Sequence, residues 1–116
     1  MKNLKLIRYP QHWKVQDFGS DEAVLCCPVC DMDHVHPEQV AVEQGKTQTI
    51  IRRESTNVSV TDRGSGPRGS LIALDFWCEN GHVFRYELEF HKGQLFLRLY
   101  AGEYSDPLKT DELWRN

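Results

Sequence analysis

The sequence predicts a mainly β protein built on an antiparallel sheet. Two segments of the second half alternate apolar and polar residues almost strictly, which is the period of a strand with one buried side. Short glycine-containing turns separate the strand-like segments, so neighbouring strands are expected to pair antiparallel. The chain has 116 residues, of which 40% are hydrophobic and 27% charged, and this size and composition are typical of one globular domain, 1–116.

The first third of the chain predicts only short strands. Residues 1–20 mix charged and apolar side chains and are compatible with one short strand. Residues 22–26 predict a second strand, which runs into a turn at 27–30. The mostly polar run 31–38 predicts a loop.

The middle of the chain predicts a hairpin followed by a long loop. Residues 39–43 fit either the edge of a strand or one helical turn. The β-branched run 47–52 predicts a strand, and residues 57–61 alternate in a way that fits a further one. Glycine and proline are concentrated in 62–70, which indicates a loop.

The last half carries the strongest periodicity. Residues 71–78 and 82–91 each place apolar side chains on one face, and the leucines of 95–100 alternate in the same way. These three segments predict an antiparallel meander. The tail, about 102–116, is polar and acidic, and a short helix is expected around 108–114.

Charge and hydropathy narrow the class of protein. The formal net charge is −3 and the pI about 5.9. These values argue against a protein whose whole surface binds nucleic acid or anionic membranes. No apolar run approaches the roughly 20 residues of a membrane-spanning helix, and the basic start lacks the apolar stretch of a signal peptide. We therefore expect a cytoplasmic protein with no membrane partner.

Two short motifs at the ends of predicted strands suggest a metal site. Cys27 and Cys30 are separated by two residues, and Cys78 and His82 by three, including Gly81. In an intracellular chain, cysteines at such spacings favour metal binding or redox chemistry over structural disulfides. Zinc takes four tetrahedral ligands from thiolate and imidazole, and two tight turns can supply them. Cys78 and His82 also fall on the apolar sides of their strands, so both approach one end of the same face.

The two motifs resemble those of the zinc ribbons, in residues 25–31 and 71–100. The Cys-Pro-x-Cys motif is similar to the first knuckle of that family, and the second motif lies at the tip of a hairpin, as the second knuckle does. The resemblance implies structural Zn²⁺ held beside a three-stranded sheet, with an insertion at about 31–69 between the knuckles. Two positions depart from the family pattern, because Asp31 stands where glycine is common and His82 replaces the usual fourth cysteine.

Other ligand sets stay open on the sequence alone. Cys26, His34 and His36 are each candidates to replace one of the four ligands. Adjacent strand residues point in opposite directions, so Cys26 and Cys27 are not both expected to face the metal. Asp31 and Asp33 could join the two histidines in a second, open site, although a solvated polar loop is the simpler interpretation.

The sequence favours a non-enzymatic protein. A zinc deaminase has His-x-Glu before Pro-Cys-x-x-Cys, whereas here residues 36–38 follow the cysteine motif and its proline lies inside the pair. A thiol oxidoreductase would use Cys27 and Cys30 beside a βαβ unit, which this pattern does not predict. A catalytic zinc keeps an open coordination position, and four good ligands are already present.

Binding is therefore the expected role, and two kinds of partner fit. An unidentified protein could contact the second face of the last strands, which offers aromatic and arginine side chains, Trp77, Phe96, Arg98 and Tyr100. The alternative is nucleic acid, bound by basic residues of the insertion. Those basic residues are Lys46, Arg52, Arg53, Arg63 and Arg68.

Overall fold

The structure is a computed structural model that describes residues 5–6, 15–17, 22–60 and 70–103. Every regular element within these residues is a β-strand. The strands are β1 (Lys5–Leu6), β2 (Val15–Asp17), β3 (Ala23–Leu25), β4 (Val35–Gln44), β5 (Thr47–Arg52), β6 (Ser55–Val60), β7 (Ser70–Cys78), β8 (His82–His91) and β9 (Gln94–Glu103).

One antiparallel sheet contains seven of these strands. Its order is β1-β9-β8-β7-β4-β5-β6, with the two-residue β1 at one edge. The strands β2 and β3 form a separate two-stranded sheet. The prediction of a mainly β, antiparallel protein is confirmed.

The predicted meander is formed by β7, β8 and β9. Leu74 lies opposite Tyr86, which in turn lies opposite Leu99, so the apolar sides of the three strands share one face. The β8–β9 turn contains Lys92 and Gly93 with positive φ angles of 51° and 78°. Glycine adopts this backbone region at little cost, which explains the tight turn at this position.

The segment predicted as an insertion largely continues the same sheet. Strands β4, β5 and β6 extend the sheet beyond β7 by pairing antiparallel, each with the next. The prediction of a loop over 31–38 is wrong for its second half, because β4 begins at Val35. Proline is accommodated there because the register shifts between Pro37 and Gln39, and proline in strands is found at such bulges. The same strand decides the open choice at 39–43 in favour of β structure.

Some predictions fall elsewhere. The short strand expected in 1–20 corresponds to two short strands, β1 and β2. The helix predicted around 108–114 and most of the loop predicted at 62–70 lie outside the described residues.

The large sheet has two chemically different faces. We call apolar face the side of β4–β9 that carries Leu74, Phe76, Tyr86, Leu99 and their alternate neighbours along each strand. The charged face is the opposite side, which carries Asp75 and Arg85. Each strand contributes to both faces because successive side chains point in opposite directions.

The core lies at one end of the apolar face. A cluster of buried hydrophobic side chains lies there, and the end of β3 and the turn that follows it pack on this cluster through partly buried side chains such as Leu25 and Met32. We call this end, where β7 stops and β8 starts, the knuckle end. The buried cluster consists of Cys27, Cys78, Phe84, Tyr86 and Leu99.

The charged face is organised by ion pairs across strands. Asp75 is only 3% exposed, and Arg85 on the neighbouring strand binds both of its carboxylate oxygens. Arg98 of β9 continues the network by donating to Glu87 at 3.2 Å and to Glu89 at 2.9 Å. Opposite charges on paired strands stabilise the sheet and satisfy the buried carboxylate.

Candidate metal centre

Three segments of the fold meet at the knuckle end. Cys27 and Cys30 lie in the turn that follows β3, Cys78 is the last residue of β7, and His82 is the first of β8. The β7–β8 turn therefore presents two potential ligands from one hairpin, and the β3 turn brings two more onto the same end of the apolar face.

The four side chains are close enough to hold one metal ion. The three sulfur atoms and one imidazole nitrogen lie within 4.8 Å of one another. The Sγ atoms of Cys30 and Cys78 are 3.8 Å apart, and the Sγ of Cys78 is 3.5 Å from Nδ1 of His82. All four cysteines of the chain are free thiols, so the short sulfur–sulfur distance is not a disulfide. Within the described residues this is the one group of cysteine, histidine or acidic side chains with such geometry.

Backbone hydrogen bonds shape the first turn. The amide of Asp31 donates to the carbonyl of Cys27, and the amide of Cys27 donates to the carbonyl of Met32, both at 2.9 Å. The amide of Val29 points at the Cys27 sulfur from 3.4 Å. Asp31 has a φ of 63°, in the left-handed region where glycine is favoured and aspartate is among the better-tolerated alternatives. Asp31 thus adopts a backbone conformation that favours glycine, at the position where zinc ribbons commonly have glycine.

The second turn depends on a glycine and an asparagine. Gly81 has a φ of 93°, and its amide donates to the carbonyl of Cys78 at 3.2 Å. The side-chain amide of Asn80 donates to the Cys30 sulfur at 3.5 Å and so links the two turns. The sequence does not identify Asn80 as a residue of the site, because nothing in its spacing shows which sulfur it reaches.

The thiols of Cys27 and Cys30 have very different pKa values. Burial raises the pKa of the Cys27 thiol to about 12. Burial also acts to raise the pKa of Cys30, but hydrogen bonds from Asn80, from the Met32 amide and from His82 outweigh it and lower the pKa to about 6. At neutral pH one sulfur is therefore already a thiolate, the form that binds metals, while a neighbouring thiol keeps its proton.

The alternative ligands do not join the cluster. Cys26 is buried, and its thiol donates to the carbonyl of Val24 at 3.6 Å. His34 is exposed and lies 2.9 Å from the carboxylate of Asp33. His36 stacks on Trp77 with ring centroids 4.1 Å apart on the charged face.

His36 also has a carboxylate partner. Its Nε2 is 2.9 Å from the carboxylate of Glu79. The side chains suggested for a second, open site on Asp31, Asp33 and the two histidines therefore do not converge within the described residues.

The basic residues proposed for nucleic-acid binding are spread along the sheet. Lys46 is in the β4–β5 turn, whereas Arg52 and Arg53 lie at the other end of β5. Six residues of strand separate these ends by about 20 Å. Arg63 and Arg68 lie outside the described residues.

Comparison with family models, with curated proteins and with solved structures finds no match for this chain. The resemblance to zinc ribbons therefore remains a prediction from the two motifs. None of the described segments forms a helix of the length and apolarity required to cross a bilayer.

Proposed function

We propose that this protein is a structural-zinc module with a non-enzymatic role in protein interaction. The observation that carries the proposal is the convergence of Cys27, Cys30, Cys78 and His82 on one point, within 4.8 Å. The first pair and the second pair are far apart in sequence, because Cys78 follows Cys30 by 48 positions. A bound ion would join the β3 turn to the β7–β8 hairpin.

The separations of the ligand atoms support zinc. A tetrahedral ion with Zn–S bonds of about 2.3 Å holds two sulfurs about 3.8 Å apart. With a Zn–N bond of about 2.0 Å, sulfur and nitrogen are about 3.5 Å apart. The distances of 3.8 Å between Cys30 and Cys78 and of 3.5 Å between Cys78 and His82 agree with both values.

The surroundings of the ligands support a structural role. Cys27 and Cys78 are fully buried, and both belong to the core cluster. Four protein ligands complete a tetrahedral site, whereas catalytic zinc keeps a position for water or substrate. A closed site inside the core stabilises the fold and leaves the metal no reacting ligand.

Zinc content of cysteine variants tests this proposal. The purified chain is expected to contain about one zinc, and Cys27→Ser is expected to lose most of it, because three ligands bind zinc much more weakly than four. Cys26→Ser is the matched control, since it changes the adjacent buried cysteine, which is not in the cluster. Equal zinc content in Cys27→Ser and in the wild-type chain would contradict the proposed ligand set, as would equal loss in both variants.

Zinc affinity is expected to fall as the pH is lowered. Zinc displaces the proton of Cys27, whose pKa is about 12, so below that pH each unit of acidification weakens binding about tenfold through this sulfur alone. Below the pKa of Cys30, about 6, the proton of this sulfur competes with zinc as well, and the dependence becomes steeper. Competition with a zinc indicator at several pH values measures the slope, and an affinity that stays constant between pH 8 and pH 5, a range of about 3 units, would contradict it.

A further inference from the structure

Among the residues that the structure describes, the side chains of the apolar face are covered at the knuckle end and exposed at the other end. We call distal end the half of the sheet that lies away from Cys78 and His82, toward the β4–β5 and β8–β9 turns. Six large hydrophobic side chains on this half of the apolar face are between 37% and 78% exposed. They are Val58, Val60, Ile72, Phe90, Leu95 and Leu97.

The exposed side chains are connected across the sheet. Leu97 pairs with Leu88, and Leu88 with Ile72. The same row continues from Ile72 through Val42 and Thr49 to Val58 at the opposite edge. Six strands spaced about 4.8 Å apart make this stripe about 24 Å wide.

The distal apolar face carries no charged side chain in the described strands. The row that contains Leu97 and the next row, which contains Leu95 and Val60, hold only aliphatic, aromatic, serine, threonine and glutamine residues. The charged residues of the same strands, such as Glu87, Glu89 and Arg98, lie on the charged face. An exposed apolar patch of this continuity marks an interaction site.

The area of the patch matches the need of a dimer. The exposed fractions of the six side chains correspond to roughly 600 Å² of apolar surface, the upper end of the largest patches on ordinary monomers. Half-buried neighbours in the same stripe add to this apolar surface; they are Val42, Thr49 and Leu88. With them, the area of the patch approaches the value of about 800 Å² that each partner buries in a standard interface.

We propose that the distal apolar face binds the same face of a second copy of this chain. Two sheets stacked in this way would pack about 10 Å apart, like the layers of a β-sandwich. The charged faces of both copies would then point to solvent, and the modest net charge of −3 opposes the association little. A face without charged side chains offers no ion-pairing group to a charged partner. The same face of a second copy is equally apolar, so the two surfaces are complementary. The dimer rests on the proposed role in protein interaction, but it uses the apolar face and not the opposite face, with Trp77, Phe96, Arg98 and Tyr100, that the sequence suggested for a protein contact.

Neighbouring residues on β9 provide a matched test. Leu95 lies on the apolar face and is 60% exposed, whereas Phe96 lies on the charged face and is 42% exposed. Analytical ultracentrifugation of the zinc-loaded full chain, at protein concentrations from about 5 to about 200 µM, measures the oligomeric state. The wild type is expected to form dimers in this range. Leu95→Glu is expected to weaken the dimer at least about hundredfold, because each interface would bury two unpaired carboxylates. Phe96→Glu is expected to leave it intact.

A second variant and a second readout keep the test decisive. Val60→Glu changes the most exposed side chain of the patch, and it too is expected to give monomers. Zinc content is measured on every variant, so that loss of the dimer with the metal retained separates this inference from the zinc proposal. A wild-type chain that is monomeric at all concentrations would overturn the inference and leave the face to another protein or to a segment of the chain itself. Equal dissociation of Phe96→Glu and Leu95→Glu would overturn it as well.

Discussion

Replacement of Cys78 by serine is expected to release the metal and to lower the free energy of unfolding by about 4 kcal/mol. A crosslink between positions 30 and 78 closes a loop of 48 residues, and the chain entropy that it removes from the unfolded state corresponds to this value. Small domains are often stable by only about 5–15 kcal/mol, so the variant loses a large part of its stability. Urea unfolding followed by circular dichroism measures the change.

Cys26→Ser is the control for this experiment as well. Its side chain is buried outside the cluster, and a serine hydroxyl can still donate to the carbonyl of Val24. We expect it to cost about 1 kcal/mol and to keep its zinc. Addition of a chelator to the wild-type chain should reproduce the loss seen in Cys78→Ser. A melting curve that a chelator leaves unchanged would show that the metal does not stabilise the fold.

Replacement of Arg85 by methionine is expected to cost about 3 kcal/mol. Arg85 binds the carboxylate of Asp75, which is almost fully buried, and the side chain of Gln39 donates to the same carboxylate at 3.5 Å. Methionine keeps most of the side-chain volume but leaves the carboxylate without its cation, and an unpaired buried charge is costly. The free energy of unfolding from urea titration at pH 7 gives the size of the effect.

A double variant distinguishes the charge from the packing. Arg85→Met with Asp75→Leu removes both members of the pair and is expected to be more stable than Arg85→Met alone, because no charge stays buried. Arg52→Met is the control on the same face, where an exposed arginine is expected to contribute less than about 0.5 kcal/mol. A double variant as unstable as Arg85→Met, or an Arg85→Met variant as stable as the control, would contradict this account of the pair.

The meander was predictable because its strands repeat with a period of two. Residues such as Leu74, Tyr86 and Leu99 alternate with polar neighbours, and this alternation alone indicates which side packs. The convergence of the four potential metal ligands was predictable for a related reason. The strand phase of Cys78 and His82 directs both side chains to one face, and the two-residue gap between Cys27 and Cys30 brings their sulfurs together.

The rest depends on contacts that local pattern does not encode. The sequence His36-Pro37-Glu38 has the composition of a loop, yet a bulge beside Pro37 lets it pair with β7, and only the register of the neighbouring strand reveals this. Likewise, periodicity marks Leu95 and Leu97 as facing a buried side, although nothing in the described residues covers that end of the sheet. Periodicity identifies a face, and the coverage of that face is a property of the tertiary structure or of an assembly.

The proposed zinc site is defined by the identity and number of the atoms that would surround the ion. X-ray absorption at the zinc edge of the purified, metal-loaded chain measures both directly. The predicted result is three sulfur neighbours at about 2.3 Å and one nitrogen neighbour at about 2.0 Å, from Cys27, Cys30, Cys78 and His82. A first shell dominated by oxygen or nitrogen, or one with fewer than three sulfurs, would contradict it.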